Sequence, residues 1–152
     1  MKLNRIVVAT DFSNVSLSAL EAAFSLDLNR GAKLYLLHVM DRPIGVDQIV
    51  GWMQPDPDEV YQEAMGRLAN LVPQNWQRDV TIECKVVLGI PATEIARFAK
   101  EKEADMIVVG THGRTGLARV LMGSTAESLL REAPCQVLVV KPHMIVKTAQ
   151  NK

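Results

Sequence analysis

Residues 110–125 read GTHGRTGLARVLMGST, and these residue types at this spacing are suited to holding an anion. Gly110, Gly113 and Gly123, with Gly116 in the same loop, let backbone N–H groups come close to a ligand. Successive N–H groups in a turn form a concave anion site. A helical pattern starts at Ser124, and a helix N-terminus adds unpaired N–H groups and the positive end of the helix dipole. Ser124 and Thr125 bring hydroxyl donors. Residues 106–126 contain no Asp or Glu, while His112, Arg114 and Arg119 lie among them. The local field therefore favours negative charge, and phosphate is the chemistry that fits.

Two familiar phosphate loops are excluded. There is no GxxxxGK[ST], and no GxGxxG follows the first apolar run. The spacing is instead G-x2-G-x9-G-[ST]. Plainer readings stand beside the phosphate one. Ser124-Thr125-Ala126-Glu127 also spells a capping box, which explains Ser124 without any ligand. Asp11 is either a ligand contact or a turn and cap residue after the first strand. His112 reads as a loop-structuring residue rather than a catalyst, and His38 as a core or interface side chain. No His, Cys or carboxylate group has zinc spacing.

The elements that must position this loop follow from apolar runs and helical periodicity. Strands are expected over residues 3–9, 33–39, 80–88, 106–109 and 136–140. Helices are expected after Ser16, with Gly31 as the left-handed cap, over 58–71, from Pro91 or Ala92 onward, and over 124–131. Residues 40–54 read as a long irregular loop rich in apolar residues, Trp52 and Met53 included. These are a cover over a ligand, a partner surface or plain core. Short apolar strands alternating with helices predict a five-stranded parallel α/β sheet, covered on both faces. Ligands bind such sheets at the carboxyl ends of the strands, near a topological switch point. That selects the loops after strands one, two and four: Thr10 and Asp11, Met40 onward, and Gly110 onward.

The chain has 152 residues, enough for one domain, with 48% apolar and 22% charged residues. Seventeen basic and 17 acidic residues give zero net charge, hence no general attraction to nucleic acid or an acidic membrane. Cys84 and Cys135 form no CxxC pair and read as buried thiols of a reducing compartment. Lys2, Asn4 and Arg5 break up the start, so no signal peptide is read there, and no apolar stretch spans a bilayer. A cytoplasmic protein is expected, with a domain over 1–142 and a polar tail over 143–152.

The start IVVATDFSNVSLSALEAA, the middle LHV and the block DMIVVGTHGRTGLARVLMGSTAESLLREAPCQVLVVK resemble the universal stress protein family, in its ATP-binding branch. The likeness covers almost the whole chain. Thr111 stands where serine is common, and Thr125 where a β-branched apolar residue is common. The resemblance implies a Rossmann-like fold of the adenine nucleotide alpha hydrolase kind. It implies that Gly110, Gly113, Gly123, Ser124 and Thr125 surround the phosphates, with Thr111, His112, Arg114 and Gly116 in the same loop. Ala9, Thr10 and Asp11 would lie near ribose and adenine, and Val39 would hold adenine through its backbone. It further implies ATP with Mg²⁺ or Mn²⁺, and a homodimer made by antiparallel pairing of the last strand.

Three function classes are open to such a site. The first is a regulatory protein whose conformation or partner contact depends on ATP. The second is a slow ATPase or nucleotide transferase, for which no convincing general base is present and no catalytic residue is assigned. The third is a flavin module, against which stands the lack of a Ser/Thr/Gly phosphate cluster after the first strand.

Overall fold

A computed structural model describes residues 2–41, 56–76, 79–112 and 122–142. The elements run β1 (Arg5–Ala9), α1 (Asn14–Ser25), β2 (Ala32–Met40), α2 (Pro57–Leu71), β3 (Val80–Leu88), α3 (Pro91–Glu101), β4 (Met106–Gly110), α4 (Ser124–Glu132) and β5 (Gln136–Val140). The five strands form one parallel sheet in the order β3-β2-β1-β4-β5. This is the expected α/β architecture. The order reverses direction between β1 and β4, which makes that gap the switch point.

The period-two alternation of side chains splits the strands between two cores. Ile6 and Val8 of β1, Leu34 and Leu36 of β2 and Val108 of β4 face one side, where Ala19, Leu20 and Ala23 of α1 and Ala64 and Leu68 of α2 cover them. Val7, Tyr35, Leu37, Ile107 and Val109 face the other, under Ile95, Phe98 and Ala99 of α3 and Ala126 and Leu129 of α4. Both faces are thus buried, which is why these strands read as continuous apolar runs. Burying each large aliphatic side chain contributes about 1.5–3 kcal/mol. At the opposite end from the carboxyl termini, one Asp105 carboxylate oxygen accepts the N–H groups of Asn4 and Arg5, at 2.7 and 2.9 Å. It ties the start of β1 to the start of β4.

Two helix boundaries differ from expectation. The cap of α1 is Ser13, whose hydroxyl accepts the Ser16 N–H at 3.3 Å. Ser16 lies inside the helix, its hydroxyl donating to the Ser13 carbonyl at 2.8 Å and sitting 2.9 Å from the Thr10 hydroxyl. At the other end, α1 stops at Ser25. Gly31 does adopt positive φ, +78°, but in the turn that enters β2, where its N–H bonds to the Asp79 carbonyl at 2.6 Å.

Cys84 is on β3 and Cys135 directly precedes β5, at opposite edges of the sheet. Four strand spacings of about 4.8 Å separate those edges, far beyond disulfide reach. Burial raises both thiols above their ordinary value, and at Cys135 the Asp105 carboxylate adds to this. Both rest as neutral thiols.

Candidate functional site

Three strands end beside the switch point, and their ends line one cleft of about 550 Å³, within the usual range of small-molecule sites. Ala9, Thr10 and Asp11 come from the end of β1, Val39 from β2, and Gly110, Thr111 and His112 from β4. Gly123, Ser124 and Thr125 close it from the start of α4. All ten were expected at the site from sequence. Gly113, Arg114 and Gly116 lie outside the described residues, as do Arg119 and the apolar segment with Trp52 and Met53. The structure brings the three selected loops together because parallel strands all deliver their carboxyl ends to the same edge.

The first turn of α4 borders the cleft. Its N-cap position is Gly123, and among the described residues no side chain makes a capping bond. Ser124 is the first helical residue, so the capping-box reading of Ser124 does not hold. Glu127 pairs instead with Arg131, at 3.0 Å. The first intrahelical bond runs from the Glu127 N–H to the Gly123 carbonyl. The N–H groups of Ser124, Thr125 and Ala126 precede it and face the cleft end of the helix dipole. The N–H of Gly123 itself is used, donating to the Thr111 carbonyl, while the Thr111 N–H bonds to the Val140 carbonyl at 2.9 Å.

Gly110 lines the cleft, but its lack of a side chain answers to another neighbour. A Cβ there would stand 2.7 Å from Val15 Cγ1 and 3.1 Å from the Val15 carbonyl oxygen. The close approach of α1 to the end of β4 therefore leaves no room for a side chain here.

Asp11 serves the turn, its carboxylate accepting the Ser13 N–H at 3.0 Å, and also lines the cleft. His112 holds the Thr111 hydroxyl with Nδ1 at 2.8 Å, in keeping with a loop-structuring residue. His38 is buried, 2.8 Å from the Thr10 carbonyl through Nδ1, and it borders the cleft as well as the core. The sequence reading missed Phe12 and Arg67. Phe12 sits at φ 66° with its ring 4.5 Å from His38, and the Arg67 guanidinium lies 4.0 Å above that ring. Nothing local in the sequence joins these residues. Only the docking of α2 beside β2 does so.

The family model described as "Universal stress protein family" matches residues 2–141. The chain belongs to the universal stress protein family. A universal stress protein of Methanocaldococcus jannaschii, MJ0531, is 38% identical over 141 residues, covering 90% of this chain and 81% of the relative. The solved structure of MJ0577 superposes with a TM-score of 0.82 at 26% identity, covering 95% of this chain and 99% of that one. A universal stress protein solved in complex with cAMP shares the fold, with a TM-score of 0.64 at 23% identity over 94% of this chain and 100% of that one. Among the described residues no helix of this universal stress protein is long and apolar enough to cross a membrane.

Proposed function

We propose that this universal stress protein binds ATP in the cleft at the switch point and acts as a nucleotide-dependent regulatory protein. The observation that carries the reading is the uncapped start of α4, with the Ser124 and Thr125 hydroxyls beside it, opening into a cleft lined by three strand ends. Those donors would hold the phosphates. Asp11 and Val39, at the ends of β1 and β2, would face ribose and adenine. Support for an adenine nucleotide also comes from the family member solved with cAMP. Among the described residues no group of three or more His, Cys, Asp or Glu is placed to hold a metal ion. Mg²⁺ or Mn²⁺ would enter on the phosphates, as Mg²⁺ commonly does. ATP would act by favouring one conformation over another, which requires a differential affinity for the two. The site belongs to a domain over residues 1–142, in a cytoplasmic protein.

The test is to denature the purified protein and identify what it releases. Intact ATP is the expected result. Release of flavin, or failure of the emptied protein to take up any adenine nucleotide, would overturn the proposal.

The same reading makes the protein a homodimer joined along β5. This strand lies at the sheet edge with Val137, Leu138, Val139 and Val140 half-buried. A bare apolar edge is a template for pairing with a second chain. Sedimentation at micromolar concentration should show a dimer; a monomer there would refute the pairing.

A further inference from the structure

The wall of the cleft formed by α2 carries a cation of its own, Arg67. Glu63 and Arg67 both line the cleft, four residues apart on α2. Glu at one position and a cation four residues later is the favourable order for a helix ion pair. Among the described residues, however, Arg67 makes no ion pair. Its guanidinium lies over the Phe12 ring, 4.0 Å from the centroid. Phe12 is held there at φ 66°, with its N–H bonded to the Thr10 hydroxyl at 3.0 Å and its ring against buried His38. A bulky residue at positive φ is uncommon, and the conformation is sustained here by contacts on both sides of the ring. The product is a fixed perch for a guanidinium at the rim of the cleft. Arginine stacked on an aromatic face still presents its fork of N–H donors to an anion, and phosphate suits that fork.

This cation and the start of α4 approach the cleft from opposite layers. Ala64 and Leu68 of α2 pack in one core, Ala126 and Leu129 of α4 in the other. A ligand with a single phosphoryl group at α4 has no second anionic group to offer across the cleft. We infer that Arg67 is a second phosphate contact, and that it makes the cleft selective for nucleotides with a chain of phosphoryl groups over monophosphates. The inference rests on the nucleotide reading above. The start of α4 takes one phosphoryl group, and the guanidinium takes an oxygen further along the chain.

Calorimetric titration of wild type, Arg67→Ala and Arg67→Lys with ATP, ADP, AMP and adenosine tests this. Arg67→Ala should weaken ATP about tenfold to a hundredfold, the usual range for a lost hydrogen bond to a charged group. AMP and adenosine should bind as before, so the preference for ATP over AMP collapses. Arg67→Lys should restore part of the ATP affinity, because the charge remains while the fork and the stack are lost. Arg67 is exposed, so losing its stack on Phe12 should cost no more than about 1 kcal/mol, and both variants should stay folded. Equal loss for ATP and adenosine would show that Arg67 only props up the Phe12 wall, and would overturn the inference. So would an unchanged ATP affinity. A wild-type protein that takes up no adenine nucleotide would sink the underlying reading as well, which separates the two failures.

Discussion

Gly110→Ala should destabilise the protein by about 2–3 kcal/mol, the cost of overpacking a tight contact. The melting temperature should fall by roughly 4–12 °C for a chain of this size. The added Cβ would lie 2.7 Å from Val15 Cγ1, so either α1 moves away from β4 or the Val15 side chain turns. Val15→Ala in the same chain should recover only part of the loss. It removes the methyl group but leaves the Val15 carbonyl oxygen 3.1 Å from the new Cβ, and backbone cannot step aside alone. Thermal melts of the two single variants and the double variant measure this coupling. Full stability in Gly110→Ala would mean that the α1–β4 approach is not tight.

Ser124→Asp should move stability and binding in opposite directions. Ser124 is the first residue of α4, where an acidic side chain is favoured by the helix dipole. Stability should hold or rise by about 0.3–1 kcal/mol. A carboxylate at this point would face the bound phosphates. Two like unit charges 4 Å apart repel by about 4 kcal/mol at an effective dielectric of about 20. ATP affinity should therefore drop by at least roughly a hundredfold. Thermal melts without nucleotide, paired with ATP titrations, read both effects. A variant that is stable and still binds ATP like wild type would place the phosphates away from α4.

The fold was legible because its signals are local. Ile6, Val7 and Val8, or Leu34 to Leu37, are buried on both faces of the sheet, so they form unbroken apolar runs. Pro73 and Pro91 punctuate helices through the missing N–H and fixed φ, whatever the tertiary context. Caps were less legible. Ser13 and Ser16 are both plausible caps in sequence, and only the backbone decides between them. At Ser124 the motif pointed to a cap that Gly123 occupies. The glycine spacing pointed to the loop but could not say that Gly110 stands against Val15, a residue 95 positions earlier in the chain. The Arg67–Phe12–His38 column was invisible for the same reason. Its members come from α2, the β1–α1 turn and β2, and none has a pattern of its own.

The bond between Gly123 and Thr111 has a consequence for how the family can vary. It joins residues 111 and 123 across the intervening stretch of sequence, and Thr111 is itself anchored to the end of β5 through its N–H. Closing a loop costs free energy that grows only with the logarithm of its length, about 0.6 kcal/mol for each doubling. A change in the number of residues between those two points thus carries only a small closure cost. The bond across those points keeps the start of α4 beside the end of β4 whatever side chains the sequence between them carries, like a clasp set behind an interchangeable face.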